Sequence, residues 1–133
     1  MVQLSTLLDR DLVAVDLQAL DRDGVLAGLS DLLVRAGIVQ GRNREGVLQA
    51  LREREALAST ALDRGVAIPH AYLDLISREC MAFGRTELPV SFGPGEEKSD
   101  LFLLLAGPSR RVSEHLQLLA RTARLARDDD FLE

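Results

Sequence analysis

The two histidines of the chain, His70 and His115, are the side chains best suited to chemistry near pH 7, because neutral imidazole is both a base and a nucleophile. His70 follows the strand-like residues 66–68 and Pro69, whose fixed φ and missing N–H are expected to end a strand. A histidine just beyond a strand end is held by a rigid element and can face a cleft. The alternative is a histidine that makes only a structural hydrogen bond at the strand terminus.

His115 falls in the expected first turn of the last helix, where unpaired backbone N–H groups and the positive end of the helix dipole favour phosphate. The alternative is a partly exposed first-turn residue without a ligand. Both histidines lie at the ends of elements, and such ends can converge at the edge of a sheet. The sequence therefore indicates a joint site for an anion.

Two further side chains suit the same anion. Arg54 and Thr60 precede His70 by 16 and 10 residues, and a guanidinium and a hydroxyl both stabilise a doubly negative phosphoryl group. The alternative for Arg54 is a solvated helix residue paired with acids such as Glu55. A hydrolase triad built on Ser59 or His70 is disfavoured, because the chain has no G-x-S-x-G nucleophile elbow.

The composition excludes several other classes of protein. One cysteine, Cys80, permits no intrachain disulfide and favours a reducing, cytoplasmic location, and one cysteine with two histidines makes a structural zinc site improbable. The net charge is −5, the basic residues are dispersed and aromatic residues make up 4%, which disfavours a reader of nucleic acids. The longest apolar run, residues 101–106, is too short to cross a bilayer, and residues 1–9 lack a secretory pattern. We therefore expect no metal, no nucleic acid and no membrane insertion.

Hydrophobic spacing predicts the elements that would position these side chains. Asp21 is expected to cap a helix that runs to about Ala36, and Asn43 to start a second helix that ends near Arg54. Ser109 or Ser113 can cap a final helix. Short apolar or β-branched runs predict strands at residues 12–17, 65–69, 80–85, 89–92 and 100–106.

This mixture of elements predicts a single-domain α/β sandwich around one sheet, with helices on both faces. The almost wholly apolar run at residues 100–106 is typical of a central strand that is covered on both faces. Cys80, inside a predicted strand, is expected to be a small buried core residue. The order of the strands cannot be read from the pattern.

The segment REALASTALDRGVAIPHA, residues 54–71, resembles the signature of phosphotransferase-system enzyme IIA domains of the fructose/mannitol type, which include nitrogen-regulatory IIA proteins. The most specific part is the Ala-Ile-Pro-His run that ends at His70. A second landmark of that family is a His-Leu pair that opens a helix after a proline-ended strand, and His115-Leu116 after Pro108 matches it. Because the resemblance extends over nearly the whole chain, residues 1–133 are interpreted as one such domain.

The resemblance implies a mixed sheet and a phosphohistidine mechanism that needs no metal or organic cofactor. His70 would accept a phosphoryl group from the phosphohistidine of HPr or of a nitrogen-branch HPr-like carrier, and His115 would support the phosphohistidine. Arg54 and Thr60 would help to hold the phosphoryl oxygens. The group would then pass to a IIB domain or act as a regulatory signal to a target protein. The alternative is a protein-binding module that keeps the IIA fold and signals without phosphorylation.

Some features depart from the family pattern. The turn before the His70 strand is usually Gly-x-Gly, whereas residues 61–63 are Ala-Leu-Asp, which adopt positive φ less easily and add a negative charge. The last helix of the family has no counterpart after Glu133, so we expect a domain that ends one helix short. Residues 1–133 include no IIB domain and no membrane-spanning run, and we therefore expect a stand-alone regulator and not a sugar transporter.

Overall fold

The structure is a computed structural model that describes residues 8–62, 65–92 and 98–109. Within these ranges five strands form one sheet, and two α-helices pack on it. The elements in chain order are β1 (Leu8–Ala14), α1 (Arg22–Arg35), a 3-10 turn (Gly41–Asn43), α2 (Arg44–Leu57), β2 (Val66–Ala67), β3 (His70–Tyr72), β4 (Cys80–Ser91) and β5 (Lys98–Gly107).

Both helices lie where the hydrophobic spacing predicts them. The Asp21 side chain accepts a hydrogen bond from Gly24 N at 2.7 Å and so satisfies one of the free N–H groups at the start of α1. Gly37 follows the end of α1 with a φ of +76°, a left-handed conformation that glycine adopts without strain. The Asn43 side chain makes no capping hydrogen bond, and the 3-10 turn leads directly into α2, which extends past the predicted end to Leu57.

The sheet is mixed, with the strand order β1-β4-β5-β2. β1 runs parallel to β4, and β4 runs antiparallel to β5. β2 and β3 both run parallel to β5, and they follow one another along it, with Val66 opposite Leu101 and His70 opposite Leu105. The predicted α/β fold around a mixed sheet is confirmed. In this topology, His70 lies directly beside the central strand β5.

The chain around Pro69 differs from the prediction. The expected strand over residues 65–69 is reduced to β2, and His70 opens a new strand instead of lying beyond a strand end. Pro69 interrupts the ladder because it has no N–H to donate. Its carbonyl nevertheless accepts a hydrogen bond from Leu105 N at 3.0 Å, which keeps the chain against β5. Pairing with β5 therefore resumes at His70, so the residue that bears the imidazole is part of the sheet.

Other strand boundaries also differ from the prediction. β1 begins at Leu8 rather than Leu12, and it ends at Ala14 rather than Leu17, because the chain turns at residues 15–16. β5 is longer than the predicted residues 100–106 and spans Lys98–Gly107. The strands predicted at residues 80–85 and 89–92 are one long strand, β4. Its pairing with β5 is irregular between Arg85 and Val90, so the missing N–H of Pro89 falls where no regular ladder bond is required.

Apolar side chains are buried on both faces of the sheet. One cluster lies between the sheet and the two helices, and Phe102 and Leu104 of β5 belong to it. Alternate residues of β5 point to the opposite face. The second cluster lies there and consists of Val66, Ile68, Met81, Leu103 and Leu105. β5 is thus covered on both faces, as its apolar sequence predicted, while the predicted final helix falls outside the described residues.

Cys80 belongs to the cluster beneath the helices and is fully buried. Burial raises the pKa of its thiol to about 12, so the thiolate, which is the reactive form, does not accumulate near pH 7. The residue serves as a small apolar side chain of the core, as predicted.

Truncation of the central strand is expected to cost substantial stability. Leu104 is 0% exposed, and its replacement by alanine leaves a cavity between the sheet and the helices, so Leu104→Ala should lower the free energy of unfolding by about 2–5 kcal/mol. Leu88→Ala, at a side chain that is 68% exposed, is the matched control and should change it by less than about 0.5 kcal/mol. Urea unfolding followed by circular dichroism measures both values. Equal effects of the two substitutions would contradict this assignment of the core.

Candidate functional site

The imidazole of His70 is held on both of its nitrogens. Nδ1 lies 3.1 Å from the carbonyl oxygen of Ile68, and Nε2 lies 3.0 Å from Nε of Arg54. A carbonyl can only accept and a guanidinium can only donate, so the proton resides on Nδ1 and the lone pair on Nε2. The geometry therefore selects one neutral tautomer, in which the nucleophilic nitrogen is Nε2.

Arg54 is positioned by the end of α2. Its Nη1 donates to the carbonyl oxygen of Ala58 at 2.7 Å, directly after the helix, while its Nε donates to His70. The sequence left open whether Arg54 is a solvated residue paired with Glu55. In the structure it is partly buried, and its side chain is turned toward the histidine. One guanidinium group thus supplies a positive charge beside Nε2 of His70.

Thr60 lies close to the pair but uses its hydroxyl elsewhere. Its Oγ1 donates a short hydrogen bond to one carboxylate oxygen of Glu55, and its backbone N–H donates to the other oxygen at 3.1 Å. Both residues are buried, with Thr60 8% and Glu55 3% exposed. Burial raises the pKa of the Glu55 carboxyl, and the two bonds from Thr60, together with the nearby arginines Arg54 and Arg22, act in the opposite direction.

A shallow cleft of about 250 Å³ opens beside the histidine. It is lined by Ala50, Arg54, His70, Ala71, Tyr72 and Leu73. Its wall is largely apolar, apart from the imidazole and the guanidinium. The hydroxyl of the lining residue Tyr72 donates to Glu79. The cleft therefore places the positive charge of Arg54 next to His70 Nε2, to which Arg54 Nε donates.

The structure brings the side chains of His70 and Arg54 into hydrogen-bond contact. The Thr60 hydroxyl instead donates to Glu55. His115 and Asp63 lie outside the described residues. Across the described residues, no group of three or more histidine, cysteine or acidic side chains could hold a metal ion. Over the same residues, no helix has the length and hydrophobicity needed to cross a membrane.

Two residues near the site were not singled out from the sequence. Glu55 was identified only as a possible partner of Arg54, although it is the buried carboxylate that anchors Thr60. Tyr72 was not considered at all. The available signal was its spacing, since residues two apart on a strand share a face and Tyr72 therefore lies on the same side of β3 as His70.

The titration of His70 should reflect its burial. Removal from water lowers the pKa of the imidazole from its ordinary 6.5, and the charge of Arg54 adds to this, while the bond to the Ile68 carbonyl opposes it. We expect a midpoint below 6.5 in an NMR titration of the ring. Below pH 6.5 the unfolded chain binds this proton more readily than the folded one, so the contribution to stability falls as the pH falls. A midpoint at or above 6.5 would contradict the buried position.

The family of the chain follows from comparison with known proteins. Residues 6–133 match the model of the phosphoenolpyruvate-dependent sugar phosphotransferase system EIIA 2 family. The nitrogen regulatory protein of Bradyrhizobium diazoefficiens is 37% identical over 124 residues, which are 91% of this chain and 81% of that protein. The fructose-specific EIIA component of Haloferax volcanii is 31% identical over 131 residues, which are 98% of this chain and 84% of that protein. The chain belongs to the EIIA type-2 family.

Solved structures agree with this assignment. The nitrogen regulatory protein IIA-Ntr of Neisseria meningitidis superposes with a TM-score of 0.83 at 28% identity, covering 94% of this chain and 84% of that one. The mannitol IIA enzyme of Escherichia coli, solved in complex with phosphorylated mannitol IIB, gives a TM-score of 0.76 at 21% identity, covering 92% and 83%. Nitrogen-regulatory and sugar-specific proteins are thus both among the relatives of this chain, and the solved structures share its α/β fold.

Proposed function

We propose that the protein is a cytoplasmic phosphoryl carrier that accepts a phosphoryl group on Nε2 of His70. The observation that carries this proposal is the bonding of the imidazole: Nδ1–H donates to the Ile68 carbonyl, which leaves the Nε2 lone pair at the cleft beside Arg54. Membership of the EIIA type-2 family supports the same reaction class. The donor we propose is the phosphohistidine of HPr or of an HPr-like carrier.

The proposed transfer needs no metal or organic cofactor. The Nε2 lone pair of His70 attacks phosphorus, and the P–N bond of the donor histidine breaks with its electron pair returning to the donor nitrogen. The proton on Nδ1 stays in place throughout. The resulting ring carries positive charge, which the Ile68 carbonyl stabilises by accepting the Nδ1–H bond more strongly.

Arg54 is proposed to change partner during the transfer. In the unphosphorylated protein, Arg54 Nε donates a hydrogen bond to the lone pair of His70 Nε2. This hydrogen bond must break before phosphorus can approach Nε2. The guanidinium then lies where it can donate to the phosphoryl oxygens and offset their charge. His115 remains a proposed support of the phosphohistidine on the ground of the family pattern, and Thr60 is proposed to act near the phosphoryl oxygens or through Glu55.

The phosphorylated protein is proposed to hand its group to a IIB domain or to signal to a regulatory target. The mannitol relative forms a complex with phosphorylated IIB, and the Bradyrhizobium diazoefficiens relative is a nitrogen regulatory protein. That relative has a higher identity to this chain than the fructose-specific component has, which favours the regulatory role.

The test is incubation of the purified chain with phosphoenolpyruvate, enzyme I and HPr, with the nitrogen-branch donor pair in parallel. Intact mass spectrometry should show one acid-labile phosphoryl group per chain, and NMR should place it on Nε2 of His70. A reaction without HPr is the control for direct transfer from enzyme I. Absence of label with both donor pairs would refute the proposal and favour a binding module that signals without phosphorylation.

A further inference from the structure

The Glu55 carboxylate lies in the last turn of α2, one residue after Arg54, yet it faces the interior. A carboxylate that is only 3% exposed is costly to bury unless its oxygens accept hydrogen bonds. Both oxygens do so, and both donors come from Thr60, one from its backbone and one from its hydroxyl. The pair therefore fastens the segment after α2 to the end of that helix.

A chain of hydrogen bonds connects this segment, residues 58–60, to the His70 ring. The Thr60 carbonyl accepts from Ile68 N at 3.1 Å, and the Ile68 carbonyl accepts from His70 Nδ1 at 3.1 Å. Ile68 is thus tied on one side to Thr60 and on the other to the imidazole. The position of the carbonyl that fixes the tautomer depends on where Thr60 is held.

The same segment also reaches the guanidinium. Ala58 lies between the end of α2 and Thr60, and its carbonyl accepts from Arg54 Nη1 at 2.7 Å. With Thr60 anchored on Glu55, the intervening residues cannot swing away from the helix. The carbonyl of Ala58 then aims the Arg54 side chain, so that Nε meets His70.

We propose that Glu55, acting through Thr60, is a positioning residue that keeps the imidazole of His70 in its Nδ1–H tautomer and the guanidinium of Arg54 aligned with it. This inference rests on the proposed function of His70. Neither Glu55 nor Thr60 touches the reacting atoms in this arrangement. They act on the acceptor only through the backbone carbonyls of Ile68 and Ala58.

The test is a set of three threonine substitutions. Thr60→Val keeps the shape but removes the hydroxyl donor, and Thr60→Ser restores that donor. Thr86→Val is the matched control, because Thr86 is another buried threonine, 3% exposed, whose hydroxyl donates to the Leu88 carbonyl away from the site. The main readout is the pair of ¹⁵N shifts of the His70 ring in the unphosphorylated protein.

Wild type and Thr60→Ser should show a protonated Nδ1 and an unprotonated Nε2. Thr60→Val should show both nitrogens shifted toward averaged values, and its rate of phosphoryl acceptance should fall by about tenfold or more, because misplaced reacting groups are costly. Thr86→Val should leave both properties unchanged, even where it lowers stability.

An unchanged tautomer in folded Thr60→Val would overturn the proposal, as would an equal change in Thr86→Val. The tautomer is measured without any phosphoryl donor. Failure of this inference is therefore distinguishable from failure of the proposed function, which would show as a wild-type protein that has the expected tautomer but takes up no label.

Discussion

The His70→Gln variant is expected to take up no phosphoryl group from a phosphorylated HPr-like donor, whereas the wild type is labelled. Glutamine has a carbonyl oxygen that can still accept from Arg54 Nε, so the polar pairing at the cleft is preserved. Its amide nitrogen has no available lone pair and cannot form the P–N bond. The loss should be complete rather than partial, and intact mass spectrometry after incubation with the donor system measures it.

The other histidine supplies the control for this result. His115→Gln is expected to retain labelling at a reduced rate, since His115 is proposed to support the phosphohistidine and not to carry the group. Circular dichroism verifies that both variants are folded. Label that persists in His70→Gln and disappears in His115→Gln would reverse the two roles.

Arg54→Ala is expected to lower the rate of phosphoryl acceptance by about 10²–10³-fold, the usual cost of removing one donor that stabilises developing charge. The wild-type side chain holds both the Ala58 carbonyl and the His70 ring, so its loss removes the charge and the alignment together. Arg54→Lys should recover only part of the rate, because an ammonium group lacks the planar set of donors that serves two partners at once. Rapid-quench labelling gives the rates.

Arg52→Ala is the matched control for the Arg54 variants. Arg52 lies on the same helix but forms an ion pair with Asp23, in which Nε and Oδ1 are 2.6 Å apart. An exposed pair of this kind contributes little to stability, and it lies away from the cleft, so the labelling rate should stay within about twofold of the wild type. Similar losses in Arg52→Ala and Arg54→Ala would point to general electrostatic steering of the donor instead of a direct role for Arg54.

The sequence predicts helices and the central strand well because their signals are local. The cap at Asp21 and the apolar spacing define α1, and the apolar run of β5 identifies a strand covered on both faces. Strand ends are predicted less well, because they depend on the neighbouring strand. Pro69 is predicted to end a strand, yet its carbonyl accepts a hydrogen bond from Leu105 N and the sheet continues beyond it.

For the candidate site too, the residue types can be predicted from the sequence, whereas features that depend on distant parts of the chain cannot. The residue types and the family resemblance single out His70 and Arg54, and the structure places them within hydrogen-bond distance of each other. The tautomer of His70 cannot be read from the sequence, since it depends on the direction of the Ile68 carbonyl. The anchoring of Thr60 on Glu55 is also hidden, because it arises only when the chain turns back beneath the end of α2.

The attachment of β3 to β5 has a consequence for the proposed encounter with a phosphoryl donor. His70, Ala71 and Tyr72 each pair with a residue of a strand whose other side is bonded to β4. The backbone around His70, the proposed acceptor, therefore loses its conformational entropy when the chain folds, not when a phosphoryl donor binds. In the proposed transfer, a short-lived complex can then use its modest binding energy to align phosphorus with nitrogen, because little of that energy is needed to order the backbone around His70.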